Sequence, residues 1–230
     1  RIEAASMRLK LLPAGQSHAD ALELRRRLQA RRDPVRLKEH LFWLMWHHWM
    51  RADFEECVKT CDDGIALSVQ LGSPPVQYAS IKGIALVDLG RFDEAWASFQ
   101  AEVADDAHPF GRCMREFGIA IWLEAVGALD RAEAAAKDVF EQAGRLSRAW
   151  MQGGMVDLLT IVGARRGVEY PELAAWGEKK SEQAFFRAVP LATAEAAIAR
   201  GNFAQALSLA DRSAEGCARL AGKAPAAPKP

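Results

Sequence analysis

Gly90-Arg91-Phe92-Asp93-Glu94-Ala95 spells small, any, bulky apolar, any, any, small, and three more stretches repeat the formula. They are Ala52-Asp53-Phe54-Glu55-Glu56-Cys57, Gly127-Ala128-Leu129-Asp130-Arg131-Ala132 and Gly201-Asn202-Phe203-Ala204-Gln205-Ala206. The copies open at intervals of 38, 37 and 74 residues, and because 74 is twice 37, one unit is hidden between the third and fourth copies. A weaker fifth copy opens at Gly15, 37 residues before Ala52. A fixed period of this length means stacked supersecondary units, each burying its apolar face on its neighbours. Such an array presents a surface rather than a catalytic cavity.

Within the unit around Gly90, the segment Val76 to Leu89 places Ala79, Gly83 and Leu86 at helical spacing, and Phe92 to Val103 does the same with Ala95, Phe99 and Glu102. Asp93 and Glu94 fall in the first turn of the second segment, where negative charge suits the helix dipole. Each unit therefore reads as two antiparallel helices joined by a tight turn. The small residue permits the turn, the bulky residue pins the second helix, and the Ala or Cys three positions later lets the helices approach closely. The hidden unit is expected near Gly163 or Ala164, with an enlarged turn through Arg165 to Tyr170 and Pro171 in the first turn of the following helix.

These positions resemble the tetratricopeptide repeat family, which has a small residue in its first helix, a turn of Gly, any, aromatic, and a close-packed Ala in its second helix. Gly83, Gly90, Phe92, Ala95 and Phe99 match in one unit, and Ala120, Leu123, Gly127, Leu129 and Ala132 in the next. The resemblance spans about residues 13 to 217 and is best in the central units. The period is longer than the family's usual one, and the proline expected between units is displaced to Pro109 or absent. Longer repeats of this kind are similar to those of large bacterial signalling regulators, such as multidomain transcription activators and cyclases. The resemblance implies an all-α fold, a right-handed α-solenoid of about six antiparallel helix hairpins over residues 1–221, with Gly222 to Pro230 as a flexible Ala, Pro and Lys tail.

Half of the 230 residues are hydrophobic, and 30 Lys plus Arg balance 30 Asp plus Glu, which argues against a polyanionic partner. The longest apolar run, Leu41 to Met50, contains His47 and His48 and is too short to span a bilayer. Cys57, Cys61, Cys113 and Cys217 show no framework spacing, as expected of reduced thiols in a cytoplasmic protein. The chain opens at Arg1 within an apolar helical pattern of Ile2, Met7, Leu9, Leu11 and Leu12, which suggests part of a longer protein whose flanking domains are missing.

The densest constellation is Leu41-Phe42-Trp43-Leu44-Met45-Trp46-His47-His48-Trp49-Met50. Repeat spacing turns Leu41, Leu44, Met45 and His48 toward the partner helix. Phe42, Trp46, Trp49 and Met50 then share the stripe that tetratricopeptide-like arrays turn to their concave groove. The competing expectation is that Trp43 and Trp46 pack against the preceding helix, Ala21 to Ala30. Ile84, Val87, Phe117 and Ile121 extend the stripe along other first helices, and Asp88, Glu124 and Glu195 punctuate it with acids and no base. An apolar groove with a few carboxylates favours a protein or peptide partner, or a small apolar or cationic effector, over an anion.

Arg25, Arg26, Arg27, Arg31 and Arg32 spread around one helix whose buried side is marked by Leu24 and Leu28, so direct nucleic-acid binding by this segment is not expected. No phosphate loop, nucleophile elbow or two-His zinc helix is spelled. The expected function is thus a non-catalytic interaction or ligand-sensing module that needs no cofactor. The alternative is a metal-dependent enzyme or accessory unit using His48, Cys57 and Cys61, since His48 faces the second helix and the two thiols lie one turn apart on its inner side.

Overall fold

The computed structural model describes residues 14–101, 108–172, 175–176, 194, 197–198 and 201–208. Cys217, Glu195 and the 222–230 segment lie outside the described residues, as does the side chain of Met50. Regular structure among the described residues is entirely α-helical. The helices are α1 (Ala14–Ala30), α2 (Pro34–Met50), α3 (Phe54–Gln70), α4 (Val76–Asp88), α5 (Phe92–Gln100), α6 (Pro109–Ala125), α7 (Leu129–Arg145) and α8 (Ala149–Arg166). None is long and apolar enough to cross a membrane. The chain divides within α6 into two compact units, one carrying α1 to α5 and the start of α6 to Gly118, the other the remainder of α6 with α7 and α8.

One joint recurs throughout. Arg32, Ala52, Gly72, Gly90, Gly127, Ser147, Gly167 and Gly201 all adopt positive φ, between 52° and 79°. The residue that follows each donates its N–H to a carbonyl five positions back, as in Asp53 to His48 at 3.0 Å, Arg91 to Leu86 at 2.8 Å and Val168 to Gly163 at 2.8 Å. This is the Schellman arrangement, which satisfies carbonyls that a helix end would otherwise leave orphaned. A left-handed residue is cheap for Gly and costs an L-residue about 1–2 kcal/mol. The four quoted copies all mark such joints. The Gly15 copy does not, because Gly15 lies inside α1. The hidden unit turns at Gly167 rather than at Gly163 or Ala164, and helix resumes at Pro171 as anticipated.

Ala52→Gly is therefore expected to stabilise the protein by about 1 kcal/mol, since Ala52 holds φ 58° without glycine's freedom. A thermal midpoint lowered by this change would contradict the assigned turn.

In the first unit each helix packs on the next, and α2 also reaches α4. Met45 of α2 meets Cys57 and Cys61 on the small inner face of α3, which with Gly64 is buried, and Leu41 and Leu44 are buried as well. Gly64 gives way to the ring of Tyr78 on α4, whose hydroxyl donates to the Lys38 carbonyl of α2. Phe99 of α5 is fully buried and occupies the space that Gly83 and Gly118 leave open. Ser98 adds a hydrogen bond to the Ala79 carbonyl at 3.0 Å. In the second unit α7 buries only Ala132, Ala136, Val139 and Ala143, a row of mostly small residues on which α8 packs. Arg166, at the end of α8, holds Asp130 at 2.8 Å and also pairs with Glu133.

Candidate functional site

Asp33 starts α2 by accepting a hydrogen bond from the Arg36 N–H at 3.1 Å, with Pro34 at the first helical position. From this start the helix periodicity sorts its side chains. Leu41, Leu44, Met45 and His48 are buried, as the spacing requires. Phe42, Trp46 and Trp49, at i, i+4 and i+7, lie on an adjoining strip and are each half-buried. Their rings form an edge-to-face ladder, Phe42 to Trp46 at 6.5 Å and Trp46 to Trp49 at 5.8 Å, with Trp43 against Phe42 at 5.3 Å. Edge-to-face contact aligns positive ring edges with negative ring faces, adding about 0.5–1.5 kcal/mol per pair beyond burial.

The ladder ends on an acid. Trp49 Nε1 donates to Asp88 Oδ2 at 3.0 Å, linking the end of α2 to the end of α4. Burial of part of the carboxyl raises the Asp88 pKa, and the Trp49 hydrogen bond acts against that rise. Two residues singled out in the sequence on different repeat units therefore meet. Four others behave differently. Ile84, Val87 and Phe117 are 3%, 9% and 7% exposed, so they are core rather than groove lining. The reason for the first two is that α4 is packed by α2, α3 and α5, leaving little of its circumference open. Glu124 pairs with Arg165 of α8, so the acid stripe does carry a base at this point, while Ile121 is half-buried in the same unit.

The histidines of α2 serve its inner side. His40 Nε2 lies 2.7 Å from the Ala21 carbonyl, tying α2 to α1. Burial lowers the His40 pKa despite this bond. His48 is buried with its ring edge-to-face against His18 of α1, centroids 5.1 Å apart. Burial, followed by the nearby His18, lowers its pKa to about 4, so the ring is neutral near pH 7. His18, His48 and Asp53 each offer one ligand atom, and these atoms lie within 4.8 Å of one another.

Cys57 and Cys61 do not join this group. The Cys57 thiol turns to the Met45 carbonyl at 3.4 Å and the Cys61 thiol to Met45 Sδ at 3.7 Å. Burial, with Cys57 beside it, raises the Cys61 pKa, as suits a small packing side chain. The geometry thus groups His48 with His18 and Asp53 and not with the two thiols. His18 is 30 residues away in sequence, and no spacing rule connects it to His48.

In the second unit, Asp157 sits in the middle of α8, 8% exposed, and its Oδ1 is buried without a hydrogen-bond partner. Burial pushes its pKa up to about 8. In the sequence the only signal of this site is a lone acid among Met155, Val156, Leu158 and Leu159.

No protein-family model, no curated protein and no solved structure matches this chain.

Proposed function

We propose that the chain is a non-catalytic helical-repeat interaction or ligand-sensing module, a right-handed solenoid of about six antiparallel hairpins resembling tetratricopeptide arrays. In this reading α2 presents a recognition face to a peptide or protein segment combining apolar and basic side chains. What carries the reading is the partly exposed ladder of Phe42, Trp46 and Trp49 terminating on Asp88. Aromatic side chains supply large contact area at low conformational cost, and they bind cations over their faces. Asp88 adds a partly desolvated negative charge at one end. The joint recurring at successive helix ends supports the repeat architecture. A larger bacterial regulator, with this segment as its sensing part in the cytoplasm, is the setting that fits the resemblance.

A panel of short peptides pairing leucine with arginine, titrated by tryptophan fluorescence, tests the reading. A binding member is expected to shift the emission, and Trp46→Ala should weaken it by a hot-spot amount of about 2 kcal/mol. Asp88→Asn should weaken basic members and spare uncharged ones. Binding indifferent to both substitutions would contradict the proposal.

A further inference from the structure

One corner of the first unit gathers groups that repeat packing does not require. His18 comes from the first turns of α1, His48 from the last turn of α2, and Asp53 from the residue that precedes α3. Three successive elements thus each contribute one nitrogen or oxygen ligand atom, all within 4.8 Å of one another.

Three observations set this corner apart from ordinary packing. The Nδ1 atoms of His18 and His48 are both buried without a hydrogen-bond partner, as is that of His40, but only the first two belong to rings in contact with each other. A buried polar atom without a partner is costly, and two on touching rings are hard to explain by packing alone. His48 itself is only 3% exposed. Asp53, finally, occupies the N-cap of α3 and makes no side-chain cap hydrogen bond, whereas Asp33 at the equivalent place before α2 does cap its helix. The Asp53 carboxylate instead accepts from Arg51 Nε through Oδ2 at 2.9 Å and turns toward the histidines. Arg25, the α1 cation whose charge reaches His48, is held by Asp63 at 2.5 Å.

We propose that His18, His48 and Asp53 form a site for a divalent first-row transition cation of the zinc class. Two imidazoles and one carboxylate are the ligand types such ions prefer, and a thiolate-free set excludes the softest ones. Tetrahedral zinc with these bond lengths spaces its ligand atoms about 3.3 Å apart. Closing the remaining gap requires the His18 and Asp53 side chains to move, and both are only partly buried. Water fills the fourth position. The ion ties α1, α2 and α3 at one end, so its first effect is to brace the helix that carries the aromatic ladder. The site does not depend on that ladder being a recognition face.

Isothermal titration of the full, tag-free chain with Zn2+, and absorption spectroscopy with Co2+, test the site. One equivalent is expected to bind with micromolar or tighter affinity. Saturation should raise the thermal midpoint by about 5 °C. His18→Ala and Asp53→Asn should each weaken binding at least tenfold while far-ultraviolet circular dichroism is unchanged. Bound Co2+ should show visible bands of low coordination number without a thiolate charge-transfer band, and Cys57→Ser with Cys61→Ala should bind as the parent does. Failure to bind Zn2+ at 100 μM, wild-type affinity in Asp53→Asn, or a thiolate band on Co2+ would each overturn the proposal.

Discussion

Gly83→Val is expected to lower the stability of the chain by about 3 kcal/mol or more. A Cβ at this position would run into the ring of Phe99, which is fully buried between Gly83 and Gly118. Valine's better helix propensity recovers only a few tenths of a kcal/mol. The ring cannot retreat toward Gly118, since a Cβ there would strike the same atoms. Coupling separates this cause from a general effect of altering α4. Phe99→Leu in the Gly83→Val background should cost less than Phe99→Leu alone, because the smaller side chain relieves the overlap. Denaturant unfolding of the four proteins reads both numbers. A loss below about 1 kcal/mol for Gly83→Val would mean that α4 and α5 do not meet at this point.

The second large effect is a pH dependence. Asp157 has a folded pKa of about 8, against an ordinary aspartate value of 3.8. The folded state therefore holds a proton that the unfolded chain has released, and stability falls as pH rises between these values. Below about 4 both states are protonated and there is no penalty, and above about 8 the penalty is complete. His48, whose folded pKa is lowered to about 4, works in the opposite direction, costing stability only as pH falls below its unfolded value near 6.5. Between pH 6.5 and 8.5 the two separate. Wild type is expected to lose about 2 kcal/mol more than Asp157→Asn across that window, and the variant should be the more stable protein at pH 8.5. Parallel stability curves for the two proteins would show that Asp157 ionises freely in the folded state.

The legibility of the chain followed the physics of each signal. Glycine at a left-handed joint leaves a mark where the bulky and small residues of the repeat follow it, so Gly90, Gly127 and Gly201 could be read, and Ala52 through Phe54 and Cys57, whereas Gly72 and Gly167 lack those followers. Arg32 and Ser147 make the same joint and could not be read, because neither residue type signals positive φ. Gly15 shows the converse, a matching string that lies inside a helix. Inward and outward faces of α2 followed directly from periodicity, since Leu41, Leu44, Met45 and His48 are one stripe of a regular helix. Periodicity fails on α4, where neighbours cover Ile84 and Val87 on what had been expected to be an open side.

Contacts between distant segments were the least accessible. Trp49 and Asp88 each stand out in the sequence, yet only the three-dimensional arrangement joins them. The approach of His18 to His48 depends on how α1 lies on α2, which no residue spacing encodes. Arg165 reaching Glu124 is of the same kind, and it changes the chemistry of that position from a bare acid to an ion pair.

The direct test of the recognition face is to compare what Trp46→Ala does to peptide binding with what it does to folding. Trp46 is half-buried and stacked edge-on between Phe42 and Trp49. If the strip is a recognition face, removing the indole should weaken the peptide by about 2 kcal/mol and cost the fold distinctly less. If the indole is a core residue, the fold should lose about 3–5 kcal/mol, and the folded fraction should bind as before. Calorimetric binding and denaturant unfolding on the same preparations decide between these outcomes, and the second would contradict the account.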